Sequence, residues 1–316
     1  MHVLENGVLI AAVANAVVGL TLVWDKVLLK QTSTKSVINY VFWLGAISIF
    51  GCIIGVFGMR KPSVGMLLIA CGAGAVDLLA SYVYYKALQA GEASQTLAVM
   101  GGFAPLATAL IGVPLLHERM RGPALGGFGL LVASGFFMFA SHRMNVRKIL
   151  PLVLLASGLF GLANVTQKMT FDALGFTTGF VFFCIGQFVF ALCFLLRKKW
   201  RDQIFRSSKG AAPSSKVGYF VNRFFNGVGA FLLAFAISKA HPALVSALSG
   251  VRYAAIFLGA YFLTKYKPKW LREAFTGWPL TAKVIATGLV IAGLAVLGIS
   301  GNAGQSGTAT LFLCPR

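Results

Sequence analysis

Long apolar runs separated by short polar breaks organise the whole chain. Ten such runs can be marked: Val8–Leu29, Val37–Gly58, Gly65–Leu88, Ala93–Leu116, Pro123–Ala140, Ile149–Thr170, Gly175–Leu196, Val217–Lys239, Pro242–Thr264 and Thr281–Ile299. At 1.5 Å per helical residue each matches a hydrocarbon layer about 30 Å thick. The runs are too long for strands and show no sustained alternation of apolar and polar positions. In lipid, moreover, only a structure that satisfies its own backbone survives, and the helix does so within one segment. The pattern therefore predicts an all-α polytopic membrane protein with ten transmembrane helices. The first run lacks a basic start and a small-residue cleavage site, and exceeds a signal core of about 7–15 residues, so it reads as a retained span.

The connections are short. The longest, Arg197 to Lys216, is basic and carries Ser207-Ser208-Lys209-Gly210-Ala211-Ala212-Pro213-Ser214-Ser215, which reads as a flexible loop. Across them the two halves echo each other. Gly19-Leu20, Val23 and Lys26 match Gly161-Leu162, Val165 and Lys168 at an offset of 142. Lys86-Ala87 matches Lys239-Ala240 at 153, and Gly129-Leu130 with Ala133 matches Gly288-Leu289 with Ala292 at 159. Five helices is an odd number, so successive halves enter the membrane from opposite faces, the inverted plan of many secondary transporters. The expected units are residues 1–145, residues 146–300 and a short tail, 301–316, whose sequence suggests no role.

Composition agrees: 58% of residues are hydrophobic, 11% are charged and the mean hydropathy is +0.81. An average soluble domain carries about 25% charged residues. The net charge of +20 would suit nucleic acid, but the Lys and Arg sit in short clusters between apolar runs. Loop charge on the cytoplasmic side accounts for them, and no nucleic-acid partner is expected. Cys52, Cys71, Cys184 and Cys193 lie inside apolar runs without CxxC spacing, so they read as small buried hydrophobes. No metal or other cofactor is implied.

Candidate chemistry lies where a polar group interrupts an apolar run. Asp77 is twelve residues after Gly65 and Arg252 ten after Pro242, which puts both near the bilayer centre. A charge there costs on the order of 3 kcal/mol by insertion scales and needs a partner or a watery cavity. The pair is expected either to bind substrate and couple an ion, or to fix helix register as a buried ion pair. Ser249 and Tyr253 flank Arg252, and Asn222, Arg223 and Asn226 cluster near the start of the eighth run. Asn15, Asn164, Gln167 and Gln187 read first as interhelical hydrogen-bonding groups. Snorkelling to the interface is the default for Lys26, Lys168 and Arg223, and His241, before Pro242, reads as a structural turn residue. Small-residue faces at Gly122, Gly126, Gly129 and Ala133, and at Gly288 and Ala292, permit close helix approach.

The run Tyr84-Tyr85-Lys86-Ala87-Leu88 through Pro105-Leu106 to Leu115-Leu116-His117-Glu118-Arg119 resembles the EamA type of the drug/metabolite transporter superfamily. The glycine-rich stretch from Gly126 to Ser141 is similar to the fifth helix that closes each repeat of that family. Gly102-Phe103-Ala104-Pro105 departs from the family's Ser-Pro approach, and Lys265 stands where the second repeat would carry a partner to Glu118. The resemblance implies two inverted five-helix repeats and a central cavity lined by the third, fourth, eighth and ninth helices. It also implies a dimer contact through the fifth and tenth.

The expected function is a secondary transporter moving a small metabolite or drug-like molecule by alternating access, with protons as the candidate coupling ion. Its expected site residues are Asp77, Arg252, Tyr253, Ser249, Asn226 and Asn222. The alternative is a non-transporting membrane scaffold or a membrane-embedded enzyme, but no HExxH, GxSxG or phosphate loop occurs, and eight acidic residues are few for acid–base chemistry. The expected partners are a small-molecule substrate, the lipid bilayer and a second copy, and the expected location is the plasma (inner) membrane. Odd-numbered loops hold nineteen basic residues, against seven in even loops and termini. The charges thus place odd loops in the cytoplasm and both termini outside, whereas the resemblance implies termini inside.

Overall fold

The computed structural model describes residues 7–31, 36–61, 63–90, 93–116, 122–140, 149–209 and 213–266, with isolated positions between 281 and 296. Among the described residues every regular element is helical. α1 is Gly7–Gln31, and α2 is Val37–Ile47, continued as a 3-10 helix over Ser48–Phe57. α3 is Val64–Ala90, α4 Ala93–Leu116, α5 Pro123–Ala140, α6 Leu150–Leu174, and α7 Phe176–Cys193 with a 3-10 turn to Leu196. α8 is Lys198–Lys209, α9 Pro213–Lys239, α10 Pro242–Ala247 and α11 Ser249–Tyr266.

Six of these segments are long and apolar enough to cross a bilayer: Gly7–Trp24, Val37–Phe57, Val64–Ala90, Leu150–Leu174, Phe176–Leu196 and Phe220–Lys239. The apolar parts of α4, α5 and α10–α11 are shorter. Most of the tenth expected run, Thr281–Ile299, lies outside the described residues, as does the tail.

Two elements differ from expectation. The ninth run is not one helix: it breaks at Leu248, whose backbone (φ −65°, ψ −3°) ends α10 before α11 begins at Ser249. The longest connection is not a plain loop, because its first half forms α8. Trp200 and Ile204 lie one turn apart there and give the segment an apolar side to dock. The Ser- and Gly-rich composition that suggested a loop begins only at Ser207.

Small residues set the helix contacts. α1 packs along α9 and α11, while α6 packs along α3 and α4. At the α1–α11 crossing a Cβ on Gly19 would meet the Arg252 carbonyl oxygen at 2.7 Å and the Ala255 Cβ at 2.9 Å. At the α6–α4 crossing a Cβ on Gly161 would meet the Thr108 backbone nitrogen at 2.9 Å. The closest seam joins α3 to α7: a Cβ on Gly74 would fall on the Phe183 carbonyl oxygen, and one on Gly186 on the Cys71 carbonyl oxygen. Those neighbours are backbone and cannot swing aside. Gly74→Val is therefore expected to destabilise the protein by about 1–3 kcal/mol, the usual cost of overpacking, read as a lowered unfolding temperature in detergent.

One other expectation, the burial of the cysteines, needs correction. Cys193 is exposed and Cys52 and Cys71 are half-buried, leaving Cys184 as the buried thiol. Among the described residues a Cβ on Gly126 or Gly129 would meet nothing within 4 Å, so no described helix approaches α5 there. α5 instead meets the tenth segment where Gly293 approaches Leu131 and the Gly127 carbonyl.

Candidate functional site

Asp77 is the midpoint residue of the 27-residue α3. Its carboxylate Oδ2 accepts a hydrogen bond from Gln187 Nε2 of α7 at 2.7 Å. The tight glycine seam one turn away holds the two helices close enough for these short side chains to meet. Arg252 lies in α11, one turn past the Leu248 break. Its Nε and Nη2 both donate to Asn15 Oδ1 of α1, at 3.2 and 2.8 Å. Asn15 Nδ2 donates in turn to the Ala11 carbonyl at 2.8 Å, which leaves the amide oxygen turned to the guanidinium.

The two mid-membrane charges are thus each held on a different seam, Asp77 by α7 and Arg252 by α1. The expected Asp77–Arg252 ion pair does not form. Each charge finds a neutral amide that offers the complementary dipole at short range, and α3 does not run along α11 as it does along α6 and α7. Asn15 takes up two of the five N–H donors of Arg252, and the other three have no partner among the described residues. A guanidinium with a fixed fork and spare donors recognises a carboxylate or phosphate.

The remaining expected residues divide. Asn226 Nδ2 of α9 donates to Thr21 Oγ1 of α1 at 3.1 Å, so α1 carries polar contacts to both α9 and α11. The Ser249 hydroxyl is buried with no hydrogen-bond partner among the described residues. Asn222 is buried on α9, and the Tyr253 side chain lies outside the described residues.

Arg223 does not snorkel: it is 4% exposed, and its guanidinium sits over the Tyr40 ring of α2 at 4.6 Å. Tyr40 meets Tyr85 at 4.5 Å between ring centroids, Tyr85 meets Tyr84 at 5.2 Å, and Tyr84 meets Phe160 at 6.4 Å. This tyrosine-rich cluster lies toward the odd-loop face, near the start of α2 and the end of α3. Where α7 begins, the packing is aromatic: Phe176 contacts Phe171, Phe180, Phe231 and Phe235 with centroids 5.1–5.5 Å apart.

Lys168 does not snorkel either. It is buried, and its Nζ donates to Asp172 at 2.8 Å and to the Ser238 carbonyl of α9 at 3.4 Å. His241 is the N-cap of α10, its Nδ1 accepting from Ala243 N at 3.2 Å, a structural role as expected. Sequence reasoning had singled out Asn15 and Gln187 as hydrogen-bonding groups, but it missed Thr21 and Tyr40. A threonine or tyrosine in an apolar run is too ordinary to stand out.

A bundle of apolar helices with polar side chains meeting at mid-span defines an integral, multi-pass membrane protein. Residues 5–140 match the family model of the EamA-like transporter family, which belongs to the drug/metabolite transporter superfamily. That family is one of membrane transporters. One solved protein chain superposes with a TM-score of 0.59 at 17% identity, covering 93% of this chain and 98% of its own, a likeness of fold. No curated protein matches the chain.

Proposed function

We propose that this protein is a secondary carrier for a small metabolite bearing a carboxylate or phosphate, built as ten spans in two inverted five-helix repeats. The observation that carries the reading is the exchange of contacts between halves. α1 packs on α9 and α11, and α6, its counterpart at offset 142, packs on α3 and α4, their counterparts. The repeat-matched Gly19 and Gly161 each receive the fourth helix of the opposite half.

A departure from that symmetry supports alternating access. Gly74 and Gly227 are 153 residues apart, as are Lys86 and Lys239. Gly74 is pressed onto α7, whereas a Cβ on Gly227 of α9 would meet nothing within 4 Å. α9 and α2 do not pack along each other as α3 and α7 do, and Arg223 spans the distance to Tyr40. Two equivalent seams, one shut and one not, are what a carrier held in one of its two states presents. The phenylalanine cluster reads as the seal, and the tyrosine-lined side as the entrance.

Arg252 is the substrate anchor in this reading, with Ser249 one turn before it on α11 and Asn226 bonded to Thr21 on the same helix α1, and Asp77 is the carboxylate suited to coupling. The plasma membrane location, the homodimer, and the charge-based orientation with termini outside belong to the same proposal. The test is a panel of neutral, cationic, carboxylate and phosphate metabolites added to the purified protein. A bound ligand at a hundred times its Kd should raise stability by about 2.7 kcal/mol. Stabilisation confined to anionic members is expected. Stabilisation by cations alone would overturn the substrate class.

A further inference from the structure

α8 follows α7 directly. The span ends at Leu196, which is exposed, and Arg197 marks the boundary before the helix begins. Twelve residues are too few to cross a bilayer, and the helix carries Lys198, Lys199, Arg201, Arg206 and Lys209 against a single acid, Asp202. Its apolar side is occupied by protein. Ile204 is fully buried in a cluster with Val37, Val41, Leu78 and Phe194. Trp200 stands perpendicular to Phe194 at 5.7 Å, and Arg197 covers Trp200 at 5.1 Å.

The outward side is therefore fixed in place. Arg197, Lys198, Lys199 and Arg201 are all exposed at the level where α7 leaves the membrane, and Asp202 shares their face. Phe205, 51% exposed, flanks the cations, and Leu196 lies just before them.

We infer that α8 is an interfacial docking surface for anionic lipid headgroups. A basic helix held at headgroup depth gains about 1 kcal/mol per Lys or Arg from an anionic leaflet. The exposed Phe205 and Leu196 single out lipid over a soluble anion, because they bracket the cations with surface that only an acyl chain would cover. The surface stands apart from Arg252 and Asp77 and does not depend on what the protein carries.

The purified full chain in zwitterionic detergent, titrated with phosphatidylglycerol, phosphatidylcholine or inorganic phosphate, tests this by thermal unfolding. Phosphatidylglycerol should raise the unfolding temperature saturably, with little effect from the other two. The triple variant Lys198→Gln, Lys199→Gln, Arg201→Gln alters exposed side chains only, and should unfold like the parent in detergent alone. Its apparent affinity for phosphatidylglycerol should fall by about fivefold per charge removed, roughly a hundredfold in all. Phe205→Ser should weaken the same lipid response by a smaller factor. Equal shifts with phosphatidylcholine would overturn the inference, as would a response to phosphate matching that to phosphatidylglycerol. An undiminished phosphatidylglycerol response in the triple variant would overturn it too.

Discussion

Replacing Gly227 with leucine is expected to stop transport while leaving the folded protein as stable as before. Among the described residues no atom lies within 4 Å of the place a Cβ would take, so the state described here accommodates the side chain. Leucine is also the better helix former by roughly 0.5–1 kcal/mol, so stability should hold or rise slightly. The opposite state, if α9 closes on α2 as α3 closes on α7, needs a bare backbone at that position. Gly74, 153 residues earlier, shows how bare, since any Cβ there meets a carbonyl oxygen of the facing helix. A side chain that fits one state and clashes in the other shifts the equilibrium by its full overpacking cost of about 1–3 kcal/mol or more. Transport by Gly227→Leu in proteoliposomes should fall at least tenfold, with an unfolding temperature within about 2 °C of the parent. Transport at the parental rate would remove the closing motion of α9 from the mechanism.

Arg252→Gln should produce the second large effect, on substrate affinity. A charge-assisted hydrogen bond contributes about 1.5–3 kcal/mol, so losing the cation should weaken an anionic ligand by about ten- to a hundredfold. Glutamine can still donate to Asn15, which protects the α1–α11 crossing and keeps the fold out of the result. Asp77→Asn is the contrasting variant. Its amide oxygen can still accept from Gln187, so the α3–α7 seam should survive, but position 77 can no longer take up or release a proton. Substrate binding should persist and any dependence of transport on a proton gradient should vanish. Because Asp77 and Arg252 stand on separate seams, the two variants should be additive within about 0.5 kcal/mol. A strong coupling between them in a double-mutant cycle would mean that they meet in another state of the protein.

Helices were legible because bilayer-spanning apolar runs leave the chain little choice, and the EamA-like character of the first half was legible in its third to fifth helices. What could not be read was the pairing of polar groups. Asp77 and Arg252 stood out as mid-membrane charges, and opposite signs suggested that they meet. Which charge faces which helix depends on the packing of glycines such as Gly74 and Gly19, and hydrophobicity does not report that. The fate of Lys168 and Arg223 was hidden for the same reason, since a long cation near a helix end can reach water or turn to a neighbour. α8 was obscured by the Ser-rich residues that follow it. The break at Leu248 is followed by Ser249-Gly250, a pair that weakens a helix without fixing where it ends.

α2 changes its winding partway along. From Ser48 to Phe57 it is a 3-10 helix of ten residues, longer than the three or four usual for that form. Its glycine side lies on α7: Ser48 Oγ donates to the Cys184 carbonyl at 3.0 Å, and Gly51 sits close beside the Cys184 Sγ. A 3-10 helix rises about 2.0 Å per residue and turns about 120°, against 1.5 Å and 100° for an α-helix. Rewinding those ten residues would draw the free end of α2 in by about 5 Å and rotate it by a little more than half a turn. The segment is thus a screw thread cut into one helix, able to trade length for rotation on the helix that α9 would meet in the proposed opposite state.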